Sequence, residues 1–215
     1  MKLYTYWRSS AAYRVRIGLE LKGISREDVP VHLVRDGGEQ LRPEYAALNP
    51  QRQVPTLVLD DGTVLTQSLA ILEYLDETRP EPPLLPADPL GRARVRALAQ
   101  AIACDIHPTN NLRVLNRLGD QFNADADARA QWYRHWVAEG LRGVEALLSR
   151  AATPGAFCHG DRPGLADACL IPQVYNARRF EVDLSFCPTV TRIEAACLAL
   201  PAFQRAAPEA QPDAG

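Results

Sequence analysis

Lysine is almost missing from this chain. Lys2 and Lys22 are the only two, and arginine supplies the rest of the positive charge. A genome's base composition explains that bias as readily as anion recognition does, so it carries no functional weight. Net charge is also nearly missing: the formal value is -2 at pH 7, which leaves no basic field to attract nucleic acid or a membrane surface. No stretch approaches the roughly 18 uncharged apolar residues of a membrane span, and the N-terminus MKLYTYWRSS has no long apolar run of the kind a secretory leader needs. A cytoplasmic protein is expected, with neither nucleic acid nor membrane as a partner. The five cysteines, Cys104, Cys158, Cys169, Cys187 and Cys197, are scattered, odd in number and never arranged as C-x-x-C, so neither a disulfide framework nor a bound metal is indicated. Cys169 and Cys197 lie among apolar residues, where a thiol serves as a small core side chain.

What is present is ordinary globular material: 215 residues, 47% hydrophobic and 23% charged, enough for one large domain or two small ones. Leu3 to Trp7 is apolar and aromatic enough for a strand. Ala11 to Leu21 carries Val15, Ile17, Leu19 and Leu21 among Arg14, Arg16 and Glu20, which predicts an amphipathic helix ended by Gly23. A second strand is predicted over Asp28 to Val34 and a short helical piece around Tyr45. VPTLVLDDGTVLTQS, residues 54–68, reads as two strands joined at Asp61-Gly62, and a helix follows from Ser68 to about Thr78. The order is β-α-β-α-β-β-α. RPEPPLLPADP, residues 79–89, holds five prolines in eleven positions and stops helix and strand alike. It marks a boundary between an α/β domain over 1–80 and an all-α domain over 90–215, with 81–89 as the linker. Helices are predicted in the second domain from Gly91 to about Cys104, Leu112 to Leu118, Ala126 to Leu148, Leu165 to Phe180 and Val190 to Leu198. The terminal APEAQPDAG reads as a loose tail.

Three short features bear on chemistry. Ser9-Ser10 stands where a strand gives way to a helix, so unpaired N–H groups point at whatever sits above the helix start. A hydroxyl there either caps the helix or donates to a thiolate or oxyanion and lowers the pKa of a bound thiol. Val54-Pro55, just before a strand, suits a cis peptide whose turn exposes the backbone of Val54 to an extended ligand. Gln67-Ser68 opens the next helix, where Ser68 either caps alone or also receives a carboxylate. Each feature by itself is explained by local structure.

Together they resemble the cytosolic glutathione transferases, which join a thioredoxin-like N-terminal domain to an all-helical C-terminal one. The resemblance covers essentially the whole chain. SSAAYRVRIGLELKG, LNPQRQVPTL, QSLAILEYLDETRP and LLPADP look like the zeta class, whose signature begins with Ser-Ser and continues into Arg-Val-Arg-Ile. DIHPTNNLRVLNRL and PQVYNARRFEVDL are similar to the bacterial isomerases of that class. The resemblance implies glutathione as cofactor, a small dicarboxylate as substrate and a two-fold homodimer. Residue by residue, it makes Ser9 the hydroxyl that stabilises the glutathione thiolate, with Ser10 beside it. Gln40, Val54, Gln67 and Ser68 would hold glutathione, the last two at its γ-glutamyl end and Val54 through its backbone. His107, Asn111, Leu112 and Arg113 match the family's cofactor-contacting positions in the helical domain. His107 is read as a hydrogen-bond partner rather than a general base, because animal relatives resemble glutamine there. Animal members carry a cysteine two places after the first serine; here that place is Ala11, followed by Ala12. Arg8, Arg113 and Arg179 are the expected holders of substrate carboxylates, since a planar guanidinium grips a carboxylate through two parallel hydrogen bonds. Asp167 matches the family's helix-capping aspartate, but Gly164 stands where the family has Ser or Thr, leaving half of a reciprocal cap.

The implied reaction converts maleylacetoacetate to fumarylacetoacetate in tyrosine and phenylalanine breakdown. Reversible addition of a thiolate turns the cis double bond into a single bond, rotation follows, and elimination gives the trans product, so the thiol acts as a catalytic nucleophile. The rivals are the same chemistry on maleylpyruvate in gentisate breakdown, conjugation or dehalogenation of α-halo acids by a general zeta-class transferase, and a non-catalytic protein on the same fold. SSAAYRVRI and DIHPTNNLRVL look more like the maleylacetoacetate enzymes. The retained Ser9, Val54 and Gln67-Ser68 argue against the non-catalytic reading.

Overall fold

A computed structural model of the chain describes residues 1–151 and 155–214. Residues Met1–Leu84, together with the C-terminal stretch from Ala199, form one compact unit, and Leu85–Leu198 form a second. The first contains β1 (Lys2–Thr5), α1 (Ser10–Leu21), β2 (Glu27–Pro30), α2 (Pro43–Leu48), β3 (Thr56–Val58), β4 (Val64–Thr66) and α3 (Ser68–Thr78), which is the β-α-β-α-β-β-α order that the sequence implies. The second holds α4 (Pro89–Gln100), a π-helical run over Ala101–Ile106, α5 (His107–Thr109), α6 (Leu112–Phe122), α7 (Ala126–Ser149), α8 (Leu165–Arg179) and α9 (Pro188–Leu198). After it, α10 (Pro201–Ala206) rejoins the first unit.

The four strands form one sheet of order β2-β1-β3-β4, with β1 parallel to β2 and antiparallel to β3, and β4 antiparallel to β3. The Asp61-Gly62 hairpin is present: Leu59 N–H donates to Thr63 O (2.9 Å), Thr63 N–H donates to Asp61 Oδ1 (2.9 Å), and Gly62 takes φ +87°, a left-handed conformation that glycine adopts without steric cost. Two strands are shorter than expected. β1 stops at Thr5 because the chain turns at once, Ser9 N–H donating to Tyr6 O (2.9 Å). β2 stops at Pro30 because His32 Nδ1 accepts from the N–H groups of Val34 (3.3 Å) and Arg35 (2.8 Å) and turns the chain away.

Helix α1 departs further from expectation. It is not amphipathic in use: Ala12 through Leu19 are buried without interruption, Arg14 and Arg16 included. It packs against α3 and α10, and Gly18 permits the close approach, since a Cβ there would collide with the side chain of Leu72. Lys22, just past the helix, is buried too. Its ammonium pairs with Asp76 Oδ1 (2.8 Å) and donates to the carbonyls of Arg79 (2.7 Å) and Pro82 (2.9 Å), tying the start of the proline-rich segment down.

The C-terminal stretch, expected to belong to the helical domain and then to fray, does neither. Arg205 Nε pairs with Glu20 Oε2 (2.6 Å), Gln211 Nε2 donates to the carbonyls of Arg205 (2.9 Å) and Ala207 (2.8 Å), and Asp213 Oδ2 accepts from Trp7 N–H (3.0 Å). The physical reason is that the buried guanidinium of Arg16 needs acceptors, and this stretch supplies one in Ala206 O (3.0 Å).

In the second unit α4 starts at Pro89, two residues before Gly91, because Asp88 accepts from Gly91 N–H (2.7 Å) and proline suits the first helical position. The core runs along α7 through Tyr133, Val137, Leu141, Val144 and Leu148, at helical spacing. α8 is buried along nearly its whole length. Asp167 accepts from Gly164 N–H and from Cys158 N–H, both at 2.9 Å, the half-cap that the glycine allows and one further contact. Cys158, Cys169, Cys187 and Cys197 are buried as thiols outside any disulfide, and Cys104 is exposed. Among the described residues no helix is long and apolar enough to cross a membrane.

Candidate active site

The topology places two serine-bearing helix starts at one end of the sheet. β1 and β4 are both antiparallel to β3, so they run the same way, and α1 and α3 leave from their same ends. At the first start, Ser9 has an extended backbone (φ -72°, ψ 118°) and its Oγ accepts from Ala12 N–H (3.2 Å). The first intrahelical bond is Tyr13 N–H to Ser9 O (2.8 Å), so the partial positive charge of the helix N-terminus collects directly after Ser9. Capping and anion binding do not compete here. A hydroxyl that accepts through a lone pair still has its proton to donate outward, and Ser9 is half-exposed. Ser10 differs: it is the first residue of the helix and only 8% exposed, so Ser9 carries the more accessible of the two hydroxyls.

The second start repeats the logic. Gln67 takes φ +68°, ψ 116°, a conformation that side-chain-bearing residues rarely adopt and that concentrates at functional sites. Its Nε2 donates to Gln51 Oε1 (2.8 Å). Ser68 is buried, and its Oγ accepts from Arg14 Nη1 at 3.1 Å. A guanidinium exposed to only 2% thus reaches the first residue of α3. Helix start and buried cation add their positive potential at one hydroxyl, which suits a carboxylate. Sequence reasoning missed Arg14, which it counted only among the polar residues of an amphipathic helix.

Val54 is buried and joined to Pro55 by a cis peptide. The loop before it is held by Tyr45, whose hydroxyl donates to Gln53 O (2.6 Å), and by Asn49 Nδ2, which donates to the same carbonyl (2.8 Å). Gln40 is half-buried, and its Nε2 donates to Leu33 O (3.3 Å). Its Oε1 is buried without a hydrogen-bond partner among the described residues. Arg8 is exposed, with its guanidinium 4.2 Å from the Trp7 ring.

The second unit carries the other expected residues. His107 opens α5 directly after the π-helical run. Asn111 is the cap of α6: its Oδ1 accepts from Arg113 N–H (3.1 Å). Leu112 and Arg113 are exposed on the first turn of that helix, so Asn111, Leu112 and Arg113 share one helix start. Arg179 is the last residue of α8, exposed, with its guanidinium 4.8 Å from the Phe180 ring. Phe180 stacks on Tyr133 at 3.6 Å. Burial pushes the Tyr133 phenol up to about 12, with the charge and hydrogen bond of Arg179 pulling the other way. All five cysteines lie in this unit, so the first unit has no thiol of its own beside Ser9.

The glutathione S-transferase N-terminal domain family matches residues 8–78, and the glutathione S-transferase C-terminal domain family matches residues 130–206. The chain belongs to the glutathione S-transferase family. A maleylacetoacetate isomerase of Pseudomonas aeruginosa is 51% identical over 213 residues, 99% of this chain and 98% of its own length. Two solved structures match with a TM-score of 0.96, and in each case both chains are covered in full. One is the holo form of a maleyl pyruvate isomerase, described as a bacterial transferase of the zeta class, 49% identical. The other is a maleylacetoacetate isomerase from Methylobacterium extorquens AM1 with bound malonate and glutathione, 46% identical. The transferase is of the zeta class, as its Ser-Ser and Arg-Val-Arg-Ile stretch implied.

Proposed function

We propose that this transferase is a glutathione-dependent cis-trans isomerase that converts maleylacetoacetate to fumarylacetoacetate in tyrosine and phenylalanine breakdown. The observation that carries the reading is the pair of hydroxyls, Ser9 and Ser68. Each accepts a hydrogen bond from within the fold, from Ala12 N–H and Arg14 Nη1 respectively, and each keeps its proton for a ligand. The pair fits a tripeptide thiol that carries a carboxylate at its γ-glutamyl end.

Glutathione, when bound, supplies a thiolate that adds reversibly to the cis double bond and leaves after rotation about the resulting single bond. Ser9 donates to the sulfur and, with the N–H groups at the start of α1, favours its ionised form. Ser68 and the start of α3 receive the γ-glutamyl carboxylate, Gln67 lies beside them, and Val54 pairs with the cofactor backbone. Gln40, through its unpartnered Oε1, accepts a cofactor N–H. We assign His107, Asn111, Leu112 and Arg113 to cofactor contacts made by the second unit. Arg8, Arg113 and Arg179 hold the substrate carboxylates and the negative charge that develops on its carbonyl oxygen. The enzyme works as a cytoplasmic homodimer.

The competing substrate is maleylpyruvate, favoured by the equal fold match to an isomerase of that name. A spectrophotometric assay tests the reading against conjugating chemistry: purified protein is given maleylacetoacetate with and without glutathione and, separately, an α-halo acid with glutathione. Isomerisation that requires glutathione is expected. Efficient conjugation of the halo acid with no isomerisation would overturn the proposal.

A further inference from the structure

We propose that Asp213, almost at the end of the chain, is a positioning residue for Ser9. The inference rests on the reading of Ser9 as the hydroxyl that meets the glutathione sulfur, and it concerns how the turn before Ser9 is held.

That turn, Tyr6 to Ser9, lies between the end of β1 and the start of α1. Its own closure is a single bond, Ser9 N–H to Tyr6 O (2.9 Å). Further restraints come from elsewhere in the unit, and two of them meet on Trp7. Trp7 N–H donates to Asp213 Oδ2 (3.0 Å), and Trp7 O accepts from Arg16 Nη2 (2.8 Å). The fully buried Arg16 also donates through Nη1 to Thr5 Oγ1 (3.1 Å) and Tyr6 O (3.3 Å). Its Nε donates to Ala206 O (3.0 Å), the carbonyl of the last residue of α10. Burial pushes the Arg16 guanidinium down to about 10, with Tyr13, Asp28 and Asp213 favouring its charged form against Arg26, so it is a cation at neutral pH. One guanidinium therefore joins the turn to the C-terminal helix, and the carboxylate beyond that helix closes on the same residue from its N–H side.

The stretch between is built to deliver Asp213 there. Gln211 is buried and folds the chain back by donating to Arg205 O (2.9 Å) and Ala207 O (2.8 Å), while Arg205 is anchored to Glu20 on α1 (2.6 Å). A segment 206 residues away in sequence thus fixes a peptide group two residues before Ser9. The stabilisation that a hydroxyl gives a thiolate depends steeply on the placement of the donor, and a displacement of about 1 Å can cost on the order of a hundredfold in rate.

The test uses full-length wild type, Asp213→Ala, Asp213→Asn and Ser9→Ala. The pH midpoint of the bound glutathione thiol is read from its ultraviolet thiolate absorbance, alongside kcat/KM for isomerisation and the melting temperature. Asp213→Ala is expected to raise the midpoint by about half a pH unit or more and to lower kcat/KM roughly tenfold. Asp213→Asn keeps an amide oxygen that accepts from Trp7 N–H and is expected to restore most of both. A lower melting temperature with midpoint and kcat/KM unchanged would reduce Asp213 to a tether and overturn the proposal, as would an Asn variant no better than Ala. Ser9→Ala separates the two levels. If it moves the midpoint and Asp213→Ala does not, the positioning role alone fails; if Ser9→Ala itself leaves the midpoint unmoved, the Ser9 reading fails and the proposal falls with it.

Discussion

Replacing Ser9 separates its two roles, because they respond to different substitutions. As a cap, its Oγ accepts from Ala12 N–H at 3.2 Å, a contact whose loss to alanine costs about 1 kcal/mol, whereas glycine at the same position costs only a few tenths. For a chain of 215 residues, 1 kcal/mol lowers the melting temperature by roughly 2–4 °C. As the donor to a bound thiolate, the same hydroxyl is lost equally to alanine and glycine, and removal of one such donor lowers turnover by about 10²–10³-fold, or about 2.7–4 kcal/mol. The two scales therefore diverge. Ser9→Gly should melt within about 1 °C of wild type and Ser9→Ala a few degrees lower, while both lose about 10²–10³-fold in kcat/KM and shift the acid limb of the pH–rate profile upward. Differential scanning calorimetry and steady-state kinetics read the two quantities on the same preparations. A Gly variant with wild-type kcat/KM would refute the reasoning, because it would leave Ser9 as a cap and nothing more.

Three other outcomes follow from the same contacts. Arg14→Met removes the cation that donates to Ser68 Oγ; calorimetric titration should show glutathione binding weakened about 10–100-fold, the loss expected of a hydrogen bond from a charged group, with the bound-thiol midpoint unmoved. The Glu20 carboxylate is raised by burial but pulled further down by hydrogen bonds from Arg205 and Arg26, so it sits below its ordinary value. Its stabilising effect is present above the ordinary carboxylate pKa of about 4.3 and is lost as pH falls through the lower native value; Glu20→Gln should flatten that acid limb in urea midpoints measured between pH 3 and 6, approximately the range the linkage spans. Thiol labelling of the folded protein should modify Cys104 alone, since the other four cysteines are buried, with burial pushing Cys187 up to about 12 and Cys158 and Cys197 up as well; rapid labelling of a second thiol before unfolding would contradict the packing described.

The strand and helix order of the first unit was legible because its punctuation is strong: Asp61-Gly62, the Gln67-Ser68 start and the five-proline segment each stop or turn the chain by local chemistry. The character of α1 was also available in the sequence but was read differently. Val15 and Ile17 lie about 200° apart on a helical wheel, as do Leu19 and Leu21, which describes a helix covered on opposite sides rather than one with a solvated face. Arg14 and Arg16 had to be buried once that was so, and each finds hydroxyl or carbonyl acceptors. Asn111 has the signature of a helix cap just before Leu112, and the structure uses it as one. The π-helical run before His107 left no mark in composition, since Ala101 to Ile106 is ordinary helix-forming material. The engagement of Asp213 with Trp7 left none either, because it depends on where α10 packs, a tertiary fact 206 residues removed in sequence.

The measurement that tests the central claim most directly is a comparison of kcat/KM for maleylacetoacetate and maleylpyruvate, each assayed with and without glutathione on the same enzyme. The account predicts no turnover of either without glutathione and a clearly higher kcat/KM for maleylacetoacetate with it. Isomerisation that proceeds undiminished without glutathione would contradict the thiolate mechanism, and a much higher kcat/KM for maleylpyruvate would contradict the assigned substrate.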